Sequence, residues 1–218
     1  MTFSTRIIAE AGVNHNGSLE MAFDLVDVAA ASGADYIKFQ SFIADDLTSK
    51  EANKASYQLR TTANDETQFE MLKRLELSPD DQQAIVDRCK AKGVQFLSTP
   101  FDLSSLKLLT ERFGLTEIKI GSGELTNAPM LFAAGKADVK IILSTGMGSL
   151  AEVEEALGVL AFAMCRNGEP QSRTDFAEVL LDPVVWEALA ERVTLLQCTT
   201  EYPAPVEHTN LNAMKTMR

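Results

Sequence analysis

Short apolar runs, each about the length of a strand, alternate along this chain with longer stretches whose apolar residues recur at helical spacing. Two parallel strands cannot be joined by a tight turn, and the crossover between them is usually a helix. The alternation therefore predicts an α/β chain with parallel strands. Six strands are legible: Ile7 to Glu10, Tyr36 to Gln40, Phe96 to Thr99, Glu117 to Ile120, Lys140 to Thr145 and Val193 to Cys198. Between them lie capped amphipathic segments. Ser18 opens a helix with Ala22, Leu25, Val26 and Ala29 on one face and Gly33 at its end. Ser78-Pro79-Asp80-Asp81 opens another, which Gly93 stops. A third runs from about Ser105 to Phe113, and Ser149 with Glu152 forms a capping box before a fourth. Two stretches break the rhythm. Residues 41–77 read as a long polar loop with a short helix from Glu66 to Leu75, and residues 161–190 read as an insertion with a helix from Val184 to Glu191.

Strand starts near residues 94, 117 and 140 recur at an interval close to the roughly 30 residues of a (β/α)8 barrel unit. The expected fold is thus a TIM (β/α)8-type barrel with about six of eight βα units in this chain. A doubly wound open sheet is the alternative. No strand is followed by the full glycine pattern of a dinucleotide fold, since Gly121-Ser122-Gly123 lacks its remainder.

The chemistry collects at the strand ends. Alternate residues of a strand face opposite sides, so Ile37 and Phe39 can face helices while Lys38 and Gln40 face inward. Glu10 ends the first strand, Ser98 and Thr99 the third, Ser144 and Thr145 the fifth. Lys119 lies within the fourth strand, with Ser122 and Glu124 just beyond it. A lone serine here would be a helix cap, and a lone lysine a surface charge. Polar residues at every strand end, two of them lysines, point instead to one shared site at the mouth of a barrel. Two ammonium groups, several hydroxyls and glycine-rich turns suit phosphate and carboxylate together, and Glu10 and Glu124 suit proton handling or sugar hydroxyls.

The formal charge of -11, from 20 Lys+Arg and 31 Asp+Glu, disfavours nucleic acid and anionic membrane as partners. Three unpatterned cysteines, Cys89, Cys165 and Cys198, argue against a disulfide framework and a zinc site, and suit a reduced cytoplasmic compartment. No apolar signal region opens the chain.

The blocks Glu10-Ala-Gly-Val-Asn-His-Asn-Gly17, Ile37-Lys-Phe-Gln40, Ser98-Thr-Pro-Phe101, Ile118-Lys-Ile-Gly-Ser-Gly-Glu124, Leu143-Ser-Thr-Gly-Met147 and Cys198-Thr-Thr-Glu-Tyr-Pro-Ala-Pro205 resemble, in this order, the sialic acid synthase family. The resemblance runs from about residue 7 to residue 214. It implies that phosphoenolpyruvate condenses with the open-chain aldehyde of an N-acyl amino sugar, such as N-acetylmannosamine, giving a nonulosonic acid and phosphate. It places Lys38, Thr99, Lys119, Ser122 and Ser144 on phosphoenolpyruvate, Glu10 beside the reacting centre, and Gln40, Glu124 and Tyr202 on the sugar. It also implies a divalent metal, Mn²⁺ or Mg²⁺. Gln197 stands where one metal-binding histidine is usual; an amide oxygen can bind a hard cation but is a poorer donor than imidazole for softer ions. A second histidine, the last two strands and a small C-terminal antifreeze-like domain would lie beyond Arg218, and the helical pattern at Ala213 to Arg218 carries no stop signal. Residues 1–218 are then expected to be an incomplete catalytic barrel, with a homodimer left open. His15 in the first loop is expected to contact backbone or solvent, and His208 to be exposed. A Schiff-base aldolase using Lys38 or Lys119 and a non-catalytic remnant of the family are the competing expectations.

Overall fold

The computed structural model describes residues 5–50, 66–199 and 204–218. The chain divides into two compact units, Met1–Phe113 and Gly114–Arg218. Each holds a three-stranded parallel sheet.

In the first unit the strands are β1 (Ile8–Gly12), β2 (Tyr36–Ser41) and β3 (Gln95–Pro100), in that order across the sheet. Helix α1 (Leu19–Ala31) is capped by Ser18, whose hydroxyl accepts the Met21 N–H. The short helix α2 (Ala44–Leu47) and α3 (Gln68–Leu75) follow β2, and α3 opens on a capping box of Thr67 and Glu70. Helix α4 (Pro79–Lys92) starts at Ser78 and stops at Gly93, whose φ of 75° is the left-handed conformation glycine adopts without cost. The Arg88 guanidinium donates to both oxygens of Asp27, and Lys92 donates to one of them, so α4 is tied to α1. Beyond the strand ends, Phe42, Met71 and Leu75 are buried together, with Val13, Leu47 and Phe101 packed against them. The long polar stretch therefore contributes an apolar face of α3, which is why that segment helices at all.

Along β2 the two phases serve different purposes. Ile37 and Phe39 are buried, and Phe39 stacks on Phe96 with ring centroids 5.6 Å apart. Ser41, in the same phase, donates to the Gln82 side chain of α4 at 2.7 Å and shares a 2.7 Å hydrogen bond with Ser98. Gln82 in turn donates to the Leu77 carbonyl. These buried polar groups are mutually satisfied. Ser98 thus belongs to the helix-facing side of its strand, and only Thr99 takes the phase of Lys38 and Gln40.

In the second unit the order is β4 (Glu117–Ile120), β5 (Lys140–Ser144), β6 (Val193–Leu196). The expected third helix is the short α5 (Leu103–Lys107) capped by Asp102, continued as a π-helical turn over Leu108–Arg112, and it closes the first unit. Helix α6 (Ala128–Lys136), absent from the sequence reading, connects β4 to β5. Its signal was present: Asn127 caps it and Pro129 sits in its first turn. Helix α7 (Leu150–Cys165) has the expected Ser149–Glu152 capping box. Helices α8 (Thr174–Val179) and α9 (Pro183–Arg192) fill the stretch read as an insertion, and α10 (Ala213–Met217) ends the described chain. Helices α6 and α7 pack closely where a β-carbon on Gly135 would come within 2.6 Å of the Ala163 methyl. The Arg192 guanidinium donates to the carbonyls of Gly135, Ala137 and Val139, which closes the end of α6 without a glycine cap. No described helix is long and apolar enough to cross a membrane.

Candidate functional site

The polar strand-end residues fall into two groups, one in each unit. In the first, Glu10 and Lys38 are paired across β1 and β2 in register. The Lys38 ammonium lies 2.8 Å from Glu10 Oε1 and 2.7 Å from Oε2. Lys38 is buried, with its side chain 8% exposed, while the Glu10 side chain is 39% exposed. A bulge at the end of β1 lets Gly12 turn with φ of 54° directly over the carboxylate: a β-carbon there would sit 3.3 Å from Glu10 Oε1. The same position is 3.9 Å from the Gln40 amide nitrogen, so Glu10, Gly12 and Gln40 border one spot. Thr99 pairs with Gln40 in register. Its hydroxyl is buried and has no hydrogen-bond partner among the described residues, a rare and costly condition for a buried polar atom.

His15 is buried, its Nδ1 accepts the Gly17 N–H at 3.1 Å, and its ring lies 6.1 Å from that of Phe39. Burial pulls its pKa below the ordinary histidine value. It organises the loop from β1 to α1, as a loop histidine contacting backbone was expected to do. Gly17 beside it is fixed twice, by a φ of 77° and by a β-carbon position 2.3 Å from the Arg74 carbonyl oxygen. His208 is exposed.

In the second unit Lys119 and Ser144 take the same phase, since Lys119 pairs with Ile142 and Ser144 lies two residues on. Ser144 and Thr145 are buried at the end of β5. The turn that follows is tied to β6: the Thr145 N–H and hydroxyl both donate to the Leu196 carbonyl, and the Gly146 N–H donates to Cys198 Sγ at 3.2 Å. Ser122 Oγ lies 3.6 Å from the same sulfur. Met147, 71% exposed, holds a φ of 67° that a non-glycine residue rarely takes. The Glu124 carboxylate accepts from the Asn127 side chain at 2.6 Å, so one of its oxygens serves the start of α6. Gln197 lines a cavity of about 450 Å³ with Thr145, Asn210 and Asn212. Tyr202 lies outside the described residues.

Nothing in this donor set holds a divalent ion by itself. Among the described residues no three His, Cys, Asp or Glu side chains gather as a metal site requires, and the cavity at Gln197 offers amides, hydroxyls, the Cys198 thiol and the Met147 and Met217 thioethers but no carboxylate or imidazole. The implied metal therefore enters no step below.

Both units are parallel α/β, and their strand ends carry cationic groups, hydroxyls and glycine turns, groups whose chemistry suits anions. The NeuB family model matches residues 25–218, and the chain belongs to the NeuB family. It is 49% identical over 214 residues to the N,N'-diacetyllegionaminic acid synthase of Campylobacter jejuni, covering 98% of this chain and 57% of that one. To the synthase of the same name from Legionella pneumophila it is 40% identical, covering 97% and 53%. The chain thus spans a little over half the length of these relatives. Among solved structures, the N-acetylneuraminic acid synthetase of Leptospira borgpetersenii, described in complex with citrate, superposes with a TM-score of 0.71 at 28% identity, over 99% of this chain and 61% of that one. The spore coat polysaccharide biosynthesis protein SpsE of Bacillus subtilis gives 0.70 at 28%, over 100% and 50%.

Proposed function

We propose that this chain carries the phosphoenolpyruvate-handling part of an enzyme that condenses phosphoenolpyruvate with an N-acyl amino-sugar aldehyde, giving a nonulosonic acid and phosphate. Carbon 3 of phosphoenolpyruvate would form the new bond to the aldehyde carbon. Water would add at carbon 2, and phosphate would leave with cleavage of its C–O bond. The finer fold reading belongs to the same proposal: a (β/α)8-type barrel with about six of its units in this chain, supported by the superposition on the sialic acid synthetase.

The observation that carries the proposal is the group at the ends of β1, β2 and β3. A buried ammonium held by a half-exposed carboxylate stands on the same strand phase as a buried, unpartnered hydroxyl. A buried hydroxyl in that state costs about 1–3 kcal/mol, and an anionic oxygen bound there would supply its partner while drawing on the ammonium. In this reading Lys38, Thr99, Lys119, Ser122 and Ser144 bind the phosphate and carboxylate of phosphoenolpyruvate. Glu10 orients the attacking water or handles its proton, and Gln40, Glu124 and Tyr202 meet the sugar. The relatives named as N,N'-diacetyllegionaminic acid synthases favour a diacetylated sugar as the acceptor.

Schiff-base chemistry at Lys38 is disfavoured on geometric grounds. A Schiff base needs the lysine nitrogen free to approach a carbonyl, whereas Lys38 Nζ is held by both oxygens of Glu10. The test is phosphate release from phosphoenolpyruvate in the presence of N-acyl amino-sugar aldehydes. Release that requires both compounds supports the proposal. Borohydride-trapped substrate on Lys38 or Lys119, with no phosphate released, would replace it with an aldolase.

A further inference from the structure

Three strand-end loops of the second unit meet at one sulfur atom. Cys198 follows β6, Gly146 follows β5, and Ser122 follows β4. The Gly146 N–H donates to Cys198 Sγ at 3.2 Å, Ser122 Oγ lies 3.6 Å from it, and the thiol itself lies 3.6 Å from the Leu196 carbonyl. The fit around Gly146 is close: a β-carbon there would come 2.9 Å from Ser122 Oγ, 3.3 Å from the Thr199 carbonyl oxygen and 3.4 Å from that of Cys198. The next residue, Met147, is held in a left-handed conformation, so the turn is not the one its own sequence prefers. Something outside the turn must hold it. Two bonds from Thr145 to Leu196 fix its first residue, and the sulfur fixes the second.

We infer that Cys198 is a positioning residue, whose sulfur sets the Ser122 hydroxyl and the Thr145–Gly148 turn in the arrangement that receives phosphoenolpyruvate. The inference rests on the function proposed above and extends it to a residue given no role there. Sulfur suits the task because it is a weak acceptor with a long reach. It can hold the Gly146 N–H and touch the Ser122 hydroxyl at 3.6 Å without binding either so tightly that an incoming anionic oxygen could not compete. The thiol is no nucleophile in this role, and no bond to it forms or breaks.

The test measures phosphoenolpyruvate binding by calorimetry for the wild-type protein, Cys198→Ala and Cys198→Ser, with thermal midpoints recorded alongside. Alanine leaves the Gly146 N–H without its acceptor and should raise Kd about tenfold, the usual weight of one hydrogen bond. Serine restores an acceptor and should bring Kd to within about threefold of wild type. A merely structural role would move the midpoint and leave Kd alone. An alanine variant that binds like wild type overturns the inference.

A second measurement needs no variant. Iodoacetamide labelling of the wild-type protein is followed by peptide mass spectrometry, with and without phosphoenolpyruvate. At ten times Kd the ligand should slow alkylation of Cys198 about tenfold and leave Cys165 unchanged. Cys89 is an internal blank, because it is buried and its thiol is pushed up to about 12. Equal labelling of Cys198 in a protein that binds phosphoenolpyruvate also overturns the inference. A wild-type protein that does not bind phosphoenolpyruvate overturns the parent proposal and this one with it, an outcome distinct from the other two.

Discussion

The strand ends of the two units hold their polar groups in place by different physics. In the first, the device is ionic: the buried Lys38 is paired with a carboxylate that still reaches solvent. In the second, the device is geometric: the glycine-rich Thr145–Gly148 turn is hung from the neighbouring strand, with hydroxyls and a thiol around it. An ionic device tolerates small displacements, because Coulomb attraction falls off slowly, but it fails when either charge is removed. The turn itself carries no charge to lose, although Lys119 stands on the neighbouring strand, and it fails when a single carbon atom is added.

That contrast can be broken most directly by truncating one group on each side. Lys38→Met should reduce phosphoenolpyruvate-dependent phosphate release by about a hundredfold or more, whereas Ser144→Ala should cost about tenfold, in steady-state assays on the same substrates. Equal losses would mean that the ion pair is not the dominant device. Glu10→Ala strands the Lys38 ammonium and should lower unfolding free energy by about 2 kcal/mol, less than for a fully buried pair because Glu10 is partly solvated. Urea denaturation reads this directly.

Gly146→Ala sharpens the geometric side. Its added methyl meets Ser122 and two carbonyls, so phosphoenolpyruvate affinity should fall about tenfold while the denaturation midpoint shifts little. Gly17→Ala should do the reverse, since the methyl meets the backbone at Arg74 in a left-handed residue; a loss of about 2 kcal/mol of stability is expected.

The smallest effect concerns His15. Its pKa is lowered by burial, so between the ordinary value of 6.5 and the lower folded value the unfolded chain binds a proton that the folded chain does not. Stability is then fully present above about pH 6.5 and declines as pH falls through that window. His15→Gln should flatten this part of the stability-versus-pH curve, and an unchanged slope would show that His15 is not its source.

All six strands were legible because each is a short apolar run between turn residues, and the inward phase of Lys38 and Gln40 follows from the period of a strand. Helix α6 is marked by Asn127 and Pro129, but its apolar content blurs into β5 and hides its period. Other features could not be read. The pairing of Ser41 with Gln82 and Ser98 depends on side chains 41 and 57 residues apart, and no local pattern announces it. Ser98 and Thr99 look alike in sequence, yet only Thr99 shares the phase of Lys38. The sulfur contact at Gly146 was hidden for a similar reason: cysteine spacing speaks of disulfides and zinc, not of a lone acceptor meeting a distant amide.

Because odd-numbered and even-numbered residues of β2 serve opposite sides, the Ser41–Ser98–Gln82 cluster also keeps count. A one-residue deletion inside β2 would send hydroxyls toward the ligand and an ammonium into the helix layer. Drift in chain length should therefore be forbidden across these six positions.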